Sequence, residues 1–228
     1  MPHIYSFFQH WFGPYEHIAG VGLASVILLG FAWMAKSALA RTDDPRLPDD
    51  RLSVRTMAEL VVGALRDFVV ETMGEHHGRK FAPFFGALFL YIFVNNLLGV
   101  IPGFNPPTSF ITTNFSLAVL IFLMTHYYGV REHGIGYLKH FMGPMMALAW
   151  LMMPIELISH LVRPVSLSLR LYGNMTGDHA VLSIFTDLTK VVVPVIFIGL
   201  GVFVSFVQAL VFTMLSMVYI GGAVEHEH

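Results

Sequence analysis

The sequence predicts an all-α integral membrane protein. Of 228 residues, 55% are hydrophobic and only 12% are charged, against roughly a quarter charged in an ordinary soluble domain. No Asp, Glu, Lys or Arg occurs from His17 to Ala35, from Phe81 to Val130, or from Val191 to Val224. A spanning helix needs about 20 such residues. The absence of Cys excludes disulfides, thiolate metal sites and thiol chemistry, and a net charge of −2 argues against a nucleic-acid partner.

Ile18 to Ala35 reads as the first membrane helix, at about residues 17–36. A cleavable leader would open on a basic stretch, yet the first Lys or Arg is Lys36, so this segment is expected to stay as a helix. Lys36, Arg41, Arg46, Arg51, Arg55, Arg66, Arg79 and Lys80 all follow it before the next apolar run. That asymmetry places loop 37–80 on the cytoplasmic side and the N-terminus outside. Inside the loop, Asp43, Asp44, Pro45, Pro48, Asp49 and Asp50 read as irregular chain. Thr56 and Glu59 then have capping-box spacing, and Val61, Leu65, Phe68 and Val69 share one face of an amphipathic helix. This helix either lies at the headgroup boundary or packs on other subunits.

The uncharged run from Phe81 to Val130 is too long for one crossing and is broken by Pro102, Gly103, Asn105, Pro106 and Pro107. It reads as a membrane hairpin, with helices at about 81–101 and 109–130; Arg131 and Lys139 mark its inner exit. A long apolar segment follows at about 143–188, which as one straight helix would reach roughly 70 Å. It must tilt strongly or kink, and Pro154 and Pro164 are the candidate kinks. A last helix spans about 191–222. The whole chain, 1–228, reads as a single polytopic domain of about five membrane helices plus the interfacial one.

Charges inside the apolar segments carry the functional reading. Glu156, Arg163 and Arg170 lie seven residues apart, so two heptads return them to nearly one helix face and predict a polar stripe. An unpaired Arg at mid-bilayer costs at least about 2.5 to 3.5 kcal/mol, and such residues mark functional paths. Arg163, beside Pro164, either joins that path or snorkels to the headgroups. Glu156 either carries protons or neutralises a neighbouring base such as His160. Arg170 has no carboxylate three or four residues downstream, so its partner is distant in sequence or on another polypeptide.

Gly173, Asn174 and Gly177 let another helix approach. Asp178 and His179 either carry protons or mark the wet end of the helix. Gln208 is the only strongly polar side chain between Ser205 and Thr213 and is expected to face protein. The histidines at 76, 77, 126, 133, 140, 226 and 228 read as mostly loop or end residues. No HExxH, GxSxG, P-loop or dinucleotide motif occurs, so no catalytic, metal or cofactor site is expected.

The run Glu156-Leu-Ile-Ser-His-Leu-Val-Arg163-Pro-Val-Ser-Leu-Ser-Leu-Arg170-Leu-Tyr-Gly-Asn174-Met resembles the signature helix of subunit a of F-type ATP synthases. Asn96-Leu-Leu-Gly-Val-Ile-Pro102-Gly103, the Gln208-Ala-Leu-Val-Phe stretch and Tyr219 agree in order, and the similarity covers roughly residues 55–225. Gly99 departs from members with an acid there, and residues 1–54 match loosely.

The resemblance implies a stationary, non-catalytic, proton-conducting subunit of the membrane sector, whose last two long, tilted helices form a hairpin. It implies Arg170 as the essential charge facing a ring of c subunits, with Glu156, His179, Asn174 and Gln208 on the proton path and Arg163 and Asp178 as further candidates. It also implies a subunit b peripheral stalk, the rest of the complex and a bacterial inner membrane. The alternative is a secondary transporter in which Arg170 binds an anionic substrate and Glu156 couples protons; against it, no repeat pairs two broken helices.

Overall fold

The computed structural model describes residues 11–40, 53–101, 104–134, 136, 149–188 and 192–224. Pro102, Gly103, Lys139, Lys190, the acidic stretch at 43–50 and the first residues of the expected long helix lie outside them. Among the described residues five long helices follow in order: α1 (Glu16–Ala40), α2 (Val54–Leu98), α3 (Ile111–His133), α4 (Ala149–Leu188) and α5 (Val192–Val224). Short 3-10 turns occupy Gly13–Tyr15 and Pro107–Ser109, and no strand occurs among the described residues.

α1 is apolar on every side and buries only Gly20 and Ala24. Trp33, Leu29 and Val26 point away from the protein, as suits a helix surrounded by lipid or by another apolar surface. Together with α2, α3 and Val195–Val224 of α5, it is long and apolar enough to cross a membrane. α4 falls outside that set because it carries Glu156, Arg163 and Arg170; it packs on α3 and α5. The chain is a multi-pass integral membrane protein.

α2 is two helices joined at Gly74, whose φ of 75° and ψ of 164° are non-helical. Positive φ strains any residue with a Cβ, so glycine is the residue that lets the chain turn here. The turn is sharp: a Cβ on Gly78 would come within 2.6 Å of Val70 Cα, although the two are eight residues apart. The amphipathic first part thereby folds onto the second. Val69 and Met73 are buried, and Leu65 and Phe68 pack against the core cluster to which Phe81 and Phe85 belong. Val61, expected on this face, stays partly exposed at 37%.

The first part of α2 also starts earlier than the capping-box spacing implies. Its N-cap is Ser53, whose hydroxyl accepts from the Thr56 backbone N–H at 3.3 Å. Glu59 instead pairs with Arg55 at 2.6 Å.

The second part of α2 is the centre of the bundle, packing chiefly on α5. Phe85, Ile92, Ile121 of α3, Leu171 of α4 and Met217 of α5 make the apolar core. A buried hydrogen bond from Asn96 Nδ2 to the Ser205 carbonyl, 3.4 Å, ties α2 to α5; such bonds between membrane helices contribute about 0.6 to 2 kcal/mol.

The Pro107–Ser109 turn touches α1, α2, α3 and α4 and closes the end of the bundle that holds the head of α1. Gly20 makes this closure possible, since a Cβ there would lie 2.7 Å from Pro107. At the other end, Gly134 (φ 56°) terminates α3, its N–H donating to the Val130 carbonyl at 2.8 Å. α4 continues as helix through both Pro154 and Pro164, so neither interrupts it. Its 40 residues reach about 60 Å at the helical rise.

Candidate functional site

Arg170 lies mid-way along α4 and points outward. Leu167, Ser168, Leu171 and Met175 form the buried face of that helix; Arg170, Gly173, Asn174 and Gly177, at spacings of three and four, lie on its exposed face. A Cβ added at Gly173 or Gly177 would meet nothing within 4 Å. Packing within this chain therefore gives no reason for glycine at either position. Among the described residues, Arg170 and Asn174 make no ion pair or hydrogen bond, and the half-buried Gln208 of α5 makes none.

The expected single stripe divides. Glu156 Oε1 lies 3.2 Å from His160 Nε2, the neighbouring base the sequence offered. Arg163 turns from the stripe to place its guanidinium 5.3 Å above the Tyr219 ring of α5, a cation–π contact in place of the headgroups. Arg170 is exposed, Glu156 keeps 43% of its side chain accessible and Arg163 is half-buried.

His126 is a correction: it lies within α3, two turns before its end, rather than in a loop. Its ring centroid is 5.4 Å from that of His160, and both line a small cavity with Thr125, Arg163 and Tyr219. His76 and His77 likewise sit inside α2. The signal for the His126–His160 pair exists only in the packing of α3 on α4.

Asp178 and His179 turn inward toward α2 and α5. His179 Nε2 stands 2.8 Å from where a Cβ on Gly99 would be, beside Pro106, and Asp178 Oδ2 stands 3.1 Å from the corresponding point on Gly201. Gly99, without a role in the sequence reading, is thus the residue that makes room for His179. Along α4, Glu156 is about 21 Å from Arg170 and Asp178 about 12 Å beyond it on the other side, at 1.5 Å per residue. The arginine separates two groups of titratable side chains.

A family model for the ATP synthase A chain matches residues 19–221. The chain belongs to that family. The ATP synthase subunit a of Bdellovibrio bacteriovorus is 46% identical over 215 residues, 94% of this chain and 93% of the relative. That of Trichlorobacter lovleyi is 43% identical over 234 residues, spanning all of both chains.

As a member of this family, the chain is the proton-conducting subunit of the Fo sector of an F-type ATP synthase complex. It is non-catalytic, because the ATP-forming sites lie on F1 subunits. The transporter alternative is not favoured.

Proposed function

We propose that Arg170 is the fixed charge against which a ring of c subunits turns, each subunit carrying one carboxylate. The supporting observation is the face of α4: an arginine with no described partner in its own chain, beside two glycines whose space is open. A helix from another subunit fits that face closely. It would bring a carboxylate to a guanidinium that cannot itself deprotonate.

Two aqueous half-channels would reach Arg170 from opposite ends of α4. Glu156, with Arg163 nearby, belongs to one; His179 and Asp178 belong to the other; Asn174 and Gln208 hold water beside the arginine. A ring carboxylate arrives ionised, is attracted to Arg170, takes a proton from one half-channel and passes neutral into lipid. The ionised form is excluded from lipid, so protons flow only as the ring turns. Each proton crossing 100 mV releases about 2.3 kcal/mol, so several are needed per ATP.

The positive-inside asymmetry of residues 36–80 orients the head of α1 outward. The bacterial relatives favour a bacterial inner membrane, and subunit b would supply the peripheral stalk.

The test is a disulfide between Asn174→Cys and a cysteine introduced beside the ring carboxylate in the intact complex. Bridging needs Cα atoms within about 7 Å. Cross-linking that stops rotation supports the reading; no cross-link at any ring position in an assembled complex contradicts it.

A further inference from the structure

We propose that Glu16 and His17, the head of α1, form the proton-collecting mouth of the half-channel that ends at His179 and Asp178. This rests on the half-channel reading above and names residues that the family signature does not reach.

The Glu16 carboxylate is held across the fold: Asn105 Nδ2 donates to its Oε1 at 3.2 Å, 89 positions away in sequence. A carboxylate in the first turn of a helix is favoured by the helix dipole, but the dipole does not explain a partner on the α2–α3 loop. Asn105 adjoins Pro106, and Pro106 and His179 Nε2 both press on Gly99. One loop therefore separates the Glu16 carboxylate from the His179 imidazole. The Gly20–Pro107 approach fixes α1 against that same loop.

Unpartnered buried polar atoms follow the same route. Glu16 Oε2, His17 Nδ1, Thr108 Oγ1, Ser109 Oγ and Asn114 Oδ1 are all buried without a hydrogen-bond partner. Thr108 and Asn114 are completely buried residues, and Asn114 spends its amide on the Thr108 carbonyl at 2.6 Å. Buried polar atoms in native proteins are paired, and where no protein group reaches them ordered water does so. Five such atoms, on α1, the loop and α3, fit a file of water that leads toward His179. Beside His17, a cleft lined by Tyr91, Thr112, Thr113 and Ser116 opens between α1, α2 and α3 and gives the file an entrance.

In this route a proton from outside binds the Glu16–His17 pair and is released along the water file past Asn105 and Thr108 to His179. The pair then returns to its starting charge. Of the titratable groups facing this end, Tyr91 lines the cleft with His17, and Asp178 and His179 close the inner end.

The decisive variant is Glu16→Gln combined with His17→Gln, compared with Glu16→Asp, in vesicles holding the assembled membrane sector stripped of its soluble head. Gln at 16 still accepts from Asn105 but no longer binds protons, so a purely structural role survives it and a proton-collecting role does not. The expected result is a loss of passive proton conductance of about tenfold, with most of it kept in Glu16→Asp. Conductance within twofold of wild type overturns the proposal.

Glu16→Cys in this cysteine-free chain gives an independent reading. A bulky, membrane-impermeant thiol reagent applied outside is expected to block conductance, and full conductance after confirmed modification overturns the proposal. Arg170→Ala is run in parallel for ATP-driven pumping. If that variant pumps normally, the half-channel reading falls; if it fails to pump while the Glu16 and His17 variants conduct normally, only the mouth falls.

Discussion

His179 Nε2 lies 2.8 Å from the point where a Cβ on Gly99 would stand. The imidazole fills the space that a side chain at Gly99, the C-cap of α2, would otherwise occupy, and Pro106 of the loop stands 2.6 Å from the same point. Gly99→Ala is therefore expected to destabilise the protein by about 1 to 3 kcal/mol, the usual range for overpacking, and to slow proton flux by displacing His179. Thermal unfolding of the purified complex, read beside passive conductance, measures both.

Gly201→Ala serves as the contrasting case. Its nearest neighbour is Asp178 Oδ2 at 3.1 Å, the far end of a side chain that yields by a few tenths of an ångström. Assembly is expected to stay near wild type, with a smaller fall in conductance than at Gly99. A Gly201→Ala complex less stable than Gly99→Ala would contradict this account of the packing.

Gly74→Ala forces a residue with a Cβ into a φ 75°, ψ 164° conformation that essentially only glycine adopts, at about 1 to 3 kcal/mol. Because Gly74 turns the amphipathic part of α2 back onto the core, protection of amides around Val69 and Met73 is expected to fall first. Hydrogen exchange reads this directly.

Gly173→Leu and Gly177→Leu separate packing within the chain from packing outside it. Both positions are open, with nothing within 4 Å of an added Cβ. The chain is expected to insert and fold normally while losing its ability to retain the ring through purification. A variant that keeps the ring would remove the external helix from the account.

Much of the fold was legible because lipid imposes a simple rule: the uncharged runs in the sequence are where α1, the second part of α2, α3 and α5 form. Arg170 was legible for the same reason, as a charge with no local partner. What stayed hidden was tertiary. Gly74 looks like a tolerated glycine in a helical pattern until Val70 and Gly78 are seen to touch.

His126 and His160 are unremarkable singly, and their meeting depends on how α3 crosses α4. Glu16 reads as an ordinary first-turn acid until Asn105 reaches it. Spacing placed Glu156, Arg163 and Arg170 on one face and offered His160 as the neighbour of Glu156, but the Tyr219 ring of α5 that Arg163 meets was not predictable from the heptad.

The central claim is that Arg170 couples proton movement to the ring. ATP-driven proton pumping in membrane vesicles carrying Arg170→Ala, with assembly verified by co-purification of the ring, tests it most directly. Loss of pumping from a fully assembled complex is the predicted result; pumping at the wild-type rate would contradict the account.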